Sequence, residues 1–373
     1  MNIGVIVHGP GIIDTGYAKK IINILKEYGT VTSRLGGTMG RTAVIDAHLE
    51  DEINITQKLL PSQSIQLLAK DNDILFLLNY GKSSITGHTF GYKVLGNVKE
   101  KVNLIQIERP GEEDGVIIQW NEYDNNELIN KLNQKLKLKI IDYKQATRKV
   151  EKLTGLNEKN GQIQRKVAGV SPDENIMLNG IIIGKATSNE LTIIAQNNQI
   201  TEMIGGKIKQ HGLEKLGKID LSTAIIKTGL LRKSGNIKPR IMQHKQNKQL
   251  TACFLNHAAE DIYKYRNTDI LVSVGDDTTL LSSDILYRFN TPIIGITDGD
   301  LDKVVLEGFK HENSLIIQVQ PGYDDIIGKI IYEKVFNKKE EIQITSIESF
   351  KEEIVNTIKD EKITYKFVDK QLS

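Results

Sequence analysis

Asp276, Asp277, Asp298, Asp300 and Asp302 all stand just past one of two short apolar runs. The first run, Ile270 to Val274, ends in Gly275-Asp276-Asp277-Thr278-Thr279. The second, Pro292 to Ile296, ends in Thr297-Asp298-Gly299-Asp300-Leu301-Asp302. A helix between two buried strands makes a parallel, right-handed crossover. Both strand ends then lie on one edge of the sheet, where open α/β sheets bind ligands. Carboxylates gathered there suit a hard divalent cation, Mg²⁺ or Mn²⁺, or the movement of a proton. Asp277 is assigned the role of base, and Asp276, Asp298 and Asp300 the role of metal ligands. Gly275 lets the chain turn off its strand. Asp276 or Asp277 is expected to cap the helix, with Thr278 and Thr279 in its first turn. Free N–H groups at a helix start favour a phosphate, and Gly299 is grouped with them as a phosphate contact. Capping by itself needs one carboxylate and is worth only ~1 kcal/mol. The further acidic groups add repulsion unless a cation binds.

A second candidate is Gly36-Gly37-Thr38-Met39-Gly40-Arg41-Thr42, which follows a short strand and precedes a helix-like segment. Its glycines, hydroxyls and arginine are the chemistry of a phosphate cradle. It matches neither the G-x-G-x-x-G fingerprint nor the G-x-x-x-x-G-K-S loop, and a plain connection fits it equally well. His8 and Gly9 end the first strand and are expected on the same sheet edge as this loop. Asn79-Tyr80-Gly81-Lys82-Ser83 ends a buried strand, but Phe76 stands where a phosphate loop has its first glycine. Glu108-Arg109-Pro110-Gly111 also follows a strand, and its Arg109 with the Glu112-Glu113-Asp114 run reads as a solvated loop. The seven histidines show no paired spacing for zinc.

Several classes are excluded by composition. The chain has 49 Lys plus Arg against 47 Asp plus Glu. That balance gives no global attraction to nucleic acid or to an acidic membrane surface. One cysteine, Cys253, rules out an internal disulfide framework and a thiolate zinc cage. No apolar run reaches the ~20 residues of a membrane helix, and no cleavable leader is visible. A cytoplasmic protein is expected, with homo-oligomerisation left open.

At 373 residues the chain is expected to form more than one domain. Residues 1–145 read as a Rossmann-like α/β domain, from strand candidates at 2–8, 31–35, 74–79 and 102–107. Residues 160–215 read as a small β-rich domain, with short strands between turn signals. Residues 216–249 read as a linker or hinge, 250–340 as a C-terminal α/β domain, and 341–373 as a charged helix and tail. The fold class is α/β, with doubly wound, mostly parallel sheets at both ends and a β-rich middle.

Gly275-Asp276-Asp277-Thr278-Thr279-Leu280-Leu281 and Gly295-Ile296-Thr297-Asp298-Gly299-Asp300-Leu301 resemble the NAD kinase and diacylglycerol kinase group. That group has a Gly-Gly-Asp-Gly-Thr turn, a helix and a strand ending Gly-Ile-Asn-x-Gly-x-Leu-Gly. The opening NIGVIVHGPGIIDTGYAKKIINILKEYG is similar to an NAD kinase's first strand and helix. The resemblance implies that Asp277 activates a substrate hydroxyl and that Thr279 is the threonine at the helix start. Asp276 and Thr278 replace two of the glycines, and only about 70 residues follow Asp302. The implied kinship is therefore of an α/β half-domain rather than of NAD phosphorylation. Over nearly its full length the chain resembles an archaeal family, seen mainly in methanogens, with a VHGP strand end and LGGTMGRTAVIDA. That resemblance implies a cytoplasmic archaeal protein and assigns no activity.

The residues together point to a nucleotide- or phosphate-ligand-binding protein, with Mg²⁺-dependent phosphoryl transfer as the sharper version. The expected partner is a phosphorylated small molecule, with neither nucleic acid nor membrane. A non-catalytic ligand- or metal-sensing module is the alternative. A TOPRIM-like nucleotidyl-transfer site comes third, since no glutamate ends the 270–274 strand.

Overall fold

The computed structural model describes residues 1–123, 125–153, 156–159, 161–167, 170–179, 181–224, 226–228, 237–242, 249–256, 259–299 and 309–368. Asp300 and Asp302 lie outside them. The chain divides into two compact units, Met1–Asn236 and Ile237–Ser373.

In the first unit, strands β1 (Asn2–His8), β2 (Thr30–Gly36), β3 (Ile74–Asn79), β4 (Leu104–Glu108), β5 (Val116–Gln119) and β6 (Lys139–Asp142) form one sheet in the order β2-β1-β3-β4-β5-β6. The pairs from β2 to β4 are parallel, β5 runs antiparallel to β4, and β6 is parallel to β5. Every residue of β3 is buried. A continuous apolar run of this kind marks a strand covered on both faces. Helices α1 (Gly11–Asp14), α2 (Tyr17–Lys26), α3 (Arg41–Asp46), α4 (Pro61–Leu68), α5 (Ser84–Gly96), α6 (Asn126–Leu136) and α7 (Tyr143–Leu153) connect the strands. In α2, Ala18, Ile21, Ile22 and Leu25 are buried, the i, i+3, i+4, i+7 stripe of a helix lying on a sheet. The chain runs from β1 out to β2 and then back past β1 to β3. The strand order therefore reverses between β1 and β3, the crevice that open sheets use for ligands.

The β-rich middle is a pair of four-stranded antiparallel sheets. Its strands are β7 (Leu156–Lys159), β8 (Gln162–Val167), β9 (Asn175–Leu178), β10 (Ile181–Ala186), β11 (Leu191–Gln196), β12 (Gln199–Ile204), β13 (Gly206–Ile208) and β14 (Ile226–Thr228), with α8 (Gln210–Leu216). The orders are β13-β10-β9-β14 and β12-β11-β8-β7. Ile176, Leu178 and Ile183 of one sheet share a core with Leu191, Ile193 and Ala195 of the other. Leu221, within the stretch read as a linker, is fully buried in that core, and β14 extends one of the sheets. Much of the rest of that stretch, 229–236 and 243–248, lies outside the described residues.

In the second unit, β15 (Leu250–Asn256), β16 (Ile270–Val274), β17 (Ile293–Thr297) and β18 (Leu315–Val319) are parallel neighbours in that order. A 3-10 helix (Ala259–Tyr265), α9 (Asp276–Tyr287) and α10 (Asp324–Lys334) follow β15, β16 and β18 respectively. The final segment was expected to give a helix and a polar tail. It also gives two strands, β19 (Glu341–Ile344) and β20 (Tyr365–Phe367), on either side of α11 (Ile347–Asp360). β19 pairs antiparallel with β15 and β20 antiparallel with β18, so both edges of the parallel sheet are covered. Ser346 caps α11 through the Ser349 N–H, and Phe350, Ile354 and Ile358 enter the core. Among the described residues no helix is long and apolar enough to cross a membrane.

Candidate functional site

All five residues of β16 and all five of β17 are buried, so the first polar groups beyond them fall at the sheet edge. Gly275 has φ 95° and ψ 144°, a conformation that essentially only glycine adopts without strain. Its N–H donates to the Ile296 carbonyl at 2.9 Å, which ties the turn to the neighbouring strand. Gly275 also occupies the N-cap position, and no side chain caps the helix. The expected capping by Asp276 or Asp277 is thereby corrected. Both residues lie inside the first turn, and the Asp276 carboxyl turns instead to Asp298.

Asp276, Asp298 and Asp324 are each more than nine-tenths buried. Burial pushes the Asp276 carboxyl up to about 8, helped by a hydrogen bond to Asp298 and by the charges of Asp298, Asp324 and Asp277. Asp276 Oδ1 is buried and has no hydrogen-bond partner. Asp298 Oδ2 accepts the Gly322 N–H at 2.9 Å. Gly299 has φ +76°, and a Cβ there would lie 1.8 Å from Gln318 Nε2, so the turn after β17 requires glycine. Thr279, expected near the ligand, is fully buried, and its Oγ1 lies 3.0 Å from Ser273 Oγ. A Cβ on Gly295 would come within 2.3 Å of Thr279 Cγ2. Thr279 therefore locks α9 onto the sheet, and Thr278 is buried beside it.

Asp324 was not singled out from the sequence. The signal was present, because Gly322-Tyr323-Asp324-Asp325 follows β18 much as Gly275-Asp276-Asp277 follows β16. Among the described residues no group of three or more His, Cys, Asp and Glu is placed to hold a metal ion, and Asp300 lies outside them. The described donors are thus a close carboxylate pair with hard oxygen chemistry, which suits Mg²⁺ better than a metal needing a protein cage.

The glycine loop stands on the first sheet. There Gly36, His8, Asn79 and Glu108 form one row across the strand ends, each opposite the next. Gly37 has φ +94°, and its Cβ position lies 3.9 Å from His8 Cδ2. A Cβ on Gly40 would lie 3.0 Å from the Gly9 carbonyl oxygen, so the loops after β1 and β2 touch. Thr38 is half-buried, and Thr42 is buried. Arg41 is also buried and donates its Nε to the Ile55 carbonyl at 3.1 Å.

Glu108, the last residue of β4, is fully buried. It accepts N–H groups from Gly81 at 2.6 Å and from Asn79 and Gln106 at 2.8 Å each. Burial pushes this carboxyl above its ordinary range, and those donors with the Arg109 guanidinium oppose the shift. Every one of these partners donates, so the geometry suits the carboxylate. Two glycines four residues apart let α5 lie on this buried polar chain. A Cβ would fall 1.9 Å from Glu108 Cδ at Gly87, and 1.8 Å from Gln106 Oε1 at Gly91. Lys82 pairs with Glu174 of the β-rich region. The glycine loop stands on the first unit's sheet and the acidic turn on the second unit's parallel sheet.

The match to known proteins covers nearly the whole chain. Residues 5–339 match the family described as "Uncharacterized protein conserved in archaea (DUF2117)". An uncharacterized protein of Methanocaldococcus jannaschii is 47% identical over 347 residues, 91% of this chain and 93% of the relative. Among solved structures, a UDP-N-acetylglucosamine 2-epimerase covers 92% of this chain and 99% of its own, at 8% identity and a TM-score of 0.19. So low a score carries no argument about fold or activity. These matches lend no support to the NAD kinase likeness of residues 269–302. With the family matched over most of its length and a relative nearly half identical, the chain belongs to this family of proteins conserved in archaea.

Proposed function

We propose that the chain is a nucleotide- or phosphate-ligand-binding protein, with its ligand on the C-terminal edge of β16 and β17. A divalent cation, Mg²⁺ or Mn²⁺, would be held there by Asp276 and Asp298. The observation that supports this reading is the buried pair itself. Two carboxylates within hydrogen-bond reach and closed off from water repel unless a proton or a cation neutralises them. Asp276 also keeps one buried oxygen without a partner, an atom that a cation would use. Mg²⁺ is commonly held by one or two carboxylates, with waters and phosphate oxygens completing its octahedron. A three-carboxylate cage is therefore not needed. Asp276 and Asp324 head α9 and α10, so two helix N-termini meet at the pair, and their N–H groups favour phosphate.

Phosphoryl transfer is the sharper version of this reading, with Asp277 taking the proton of the attacking hydroxyl. In such chemistry the cation neutralises phosphate charge, and most of the catalysis is placement. A sensing module would use the same residues without turnover.

A thermal-shift screen of nucleotides and phosphorylated metabolites, with and without Mg²⁺, tests the proposal. Ligand stabilisation is expected only with Mg²⁺ present, and Asp276→Asn should fold yet lose the Mg²⁺-dependent shift. Equal shifts with and without the ion, or in the variant, would sink it. If the chain transfers phosphate, Asp277→Asn should still bind and cease to turn over.

A further inference from the structure

The single tryptophan of the chain, Trp120, lies at the end of the first sheet away from the row of Gly36, His8, Asn79 and Glu108. β5 runs antiparallel to β4 and pairs its last residue, Gln119, with Ile105, so Trp120 stands beside the start of β4. Its backbone N–H donates to the Leu104 carbonyl at 3.1 Å, and its indole N–H donates to Gln106 Oε1 at 2.9 Å. A Cβ on Gly91 would lie 2.8 Å from Trp120 Cζ2, so α5 needs glycine there to seat the ring. The indole is pinned, and its one polar atom is bonded to a buried partner.

A cavity of about 630 Å³ opens beside this ring, within the roughly 300–1,000 Å³ of small-molecule sites. Trp120 and Val102, at its floor, belong to the core of the sheet, and Leu95, Val98 and Tyr143 pack against that core. Its walls are two loops, residues 97–103 before β4 and 120–123 after β5. The loops are tied together. Asn121 Nδ2 donates to the Val102 carbonyl at 2.7 Å, and the Asn103 and Asn125 amides exchange hydrogen bonds at 3.1 and 2.6 Å. Tyr143 donates its hydroxyl to Glu122 Oε1 at 3.1 Å. Walls held in this way lose little freedom when a ligand arrives.

The polar ends of the lining are left for something else. Lys99 and Lys101 are exposed on one loop, and neither ammonium group has an ion pair or hydrogen bond among the described residues. Glu100 between them leaves that loop a net positive charge. On the other loop, Glu122 keeps its second oxygen without a partner among the described residues, and the Tyr123 side chain is exposed. Aromatic side chains stack on heteroaromatic rings, a carboxylate accepts ring N–H groups, and ammonium groups attract phosphate as point charges.

We propose that this cavity is a second small-molecule site, for a planar heteroaromatic ring joined to an anionic group, as in a mononucleotide. The ring lies among Trp120, Tyr123 and Tyr143, with an N–H turned to Glu122, and the anion is held by Lys99 and Lys101. The site uses none of the residues of the acidic edge and does not depend on that reading.

Because Trp120 is the only tryptophan, its fluorescence in the full chain reports on this cavity alone. Titration with millimolar AMP in the absence of Mg²⁺ should change the emission saturably. Adenosine and ribose 5-phosphate, each carrying half of the ligand's chemistry, should bind several-fold more weakly. The double variant Lys99→Ala, Lys101→Ala alters exposed side chains, so its melting temperature and unliganded emission should stay unchanged while AMP binding weakens several-fold. Asp276→Asn should leave the response intact. No saturable change with AMP, an affinity for adenosine or ribose 5-phosphate equal to that for AMP, or full binding in the lysine variant would overturn the proposal. So would a response lost in Asp276→Asn, since the signal would then come from the acidic edge.

Discussion

Asp276→Asn is expected to stabilise the protein by on the order of 2 kcal/mol at pH 8 and by little near pH 4. The carboxyl sits at about 8 in the folded chain, against an ordinary value of 3.8. Between those values the native state holds a proton that the unfolded chain has released. Stability therefore falls as pH rises through this window, by at most ~1.4 kcal/mol per pH unit for one group. Above pH 8 both states are ionised and the loss is complete. Asparagine has nearly the same shape, can donate to Asp298 without a charge, and removes the slope. Calorimetric melting across pH 4 to 8 would show it, with an apparent Tm raised by roughly 5 °C at pH 8. A lowered Tm, or a difference that does not change with pH, would contradict the strained pair.

Glu108→Gln is the same chemical change and should have the opposite sign. Both Glu108 oxygens face N–H donors, Gly81 on one side and Asn79 with Gln106 on the other. Either orientation of a glutamine amide points its NH₂ at a donor. Gln106 cannot turn over to relieve the clash without stranding the Trp120 indole N–H. Leaving buried donors unpaired costs ~1–3 kcal/mol each, so the expected loss is about 3 kcal/mol. A flip of Asn79 would relieve only part of it, because the Gln106 NH₂ would still face the new amide. Denaturant unfolding measures the loss. An unchanged midpoint would refute the assigned carboxylate.

The parts of the fold carried by local pattern were legible in the sequence. Ile270–Val274 and Ile293–Thr297 show as strands because both faces are buried, which leaves an unbroken apolar run. The Gly275 turn and its location at a sheet edge follow from the same pattern. β19 and β20 were missed because Glu341–Ile344 and Tyr365–Phe367 are short, partly charged strands, specified by the sheet edges they cover rather than by their own periodicity. The capping role given to Asp276 failed because a carboxyl at a helix start has a choice of partners, and only the fold brings Asp298 within reach. The internal bonds of Arg41 and Glu108 were not visible in the sequence for a related reason. Their internal partners come from other segments, Ile55 for Arg41 and Asn79 with Gly81 for Glu108. The hydrogen bonds running from Trp120 through Gln106, Glu108 and Asn79 to His8 join residues of β4, β3 and β1, and no local spacing encodes them.

Titration calorimetry of the full chain with Mg²⁺, run at pH 7 in two buffers of different ionisation enthalpy, tests the central claim most directly. A cation that settles between Asp276 and Asp298 must displace the proton they share. Binding should therefore release close to one proton per ion, tighten as pH rises toward 8, and vanish in Asp276→Asn. Absence of binding, binding without proton release, or unchanged binding in Asp276→Asn would contradict the account.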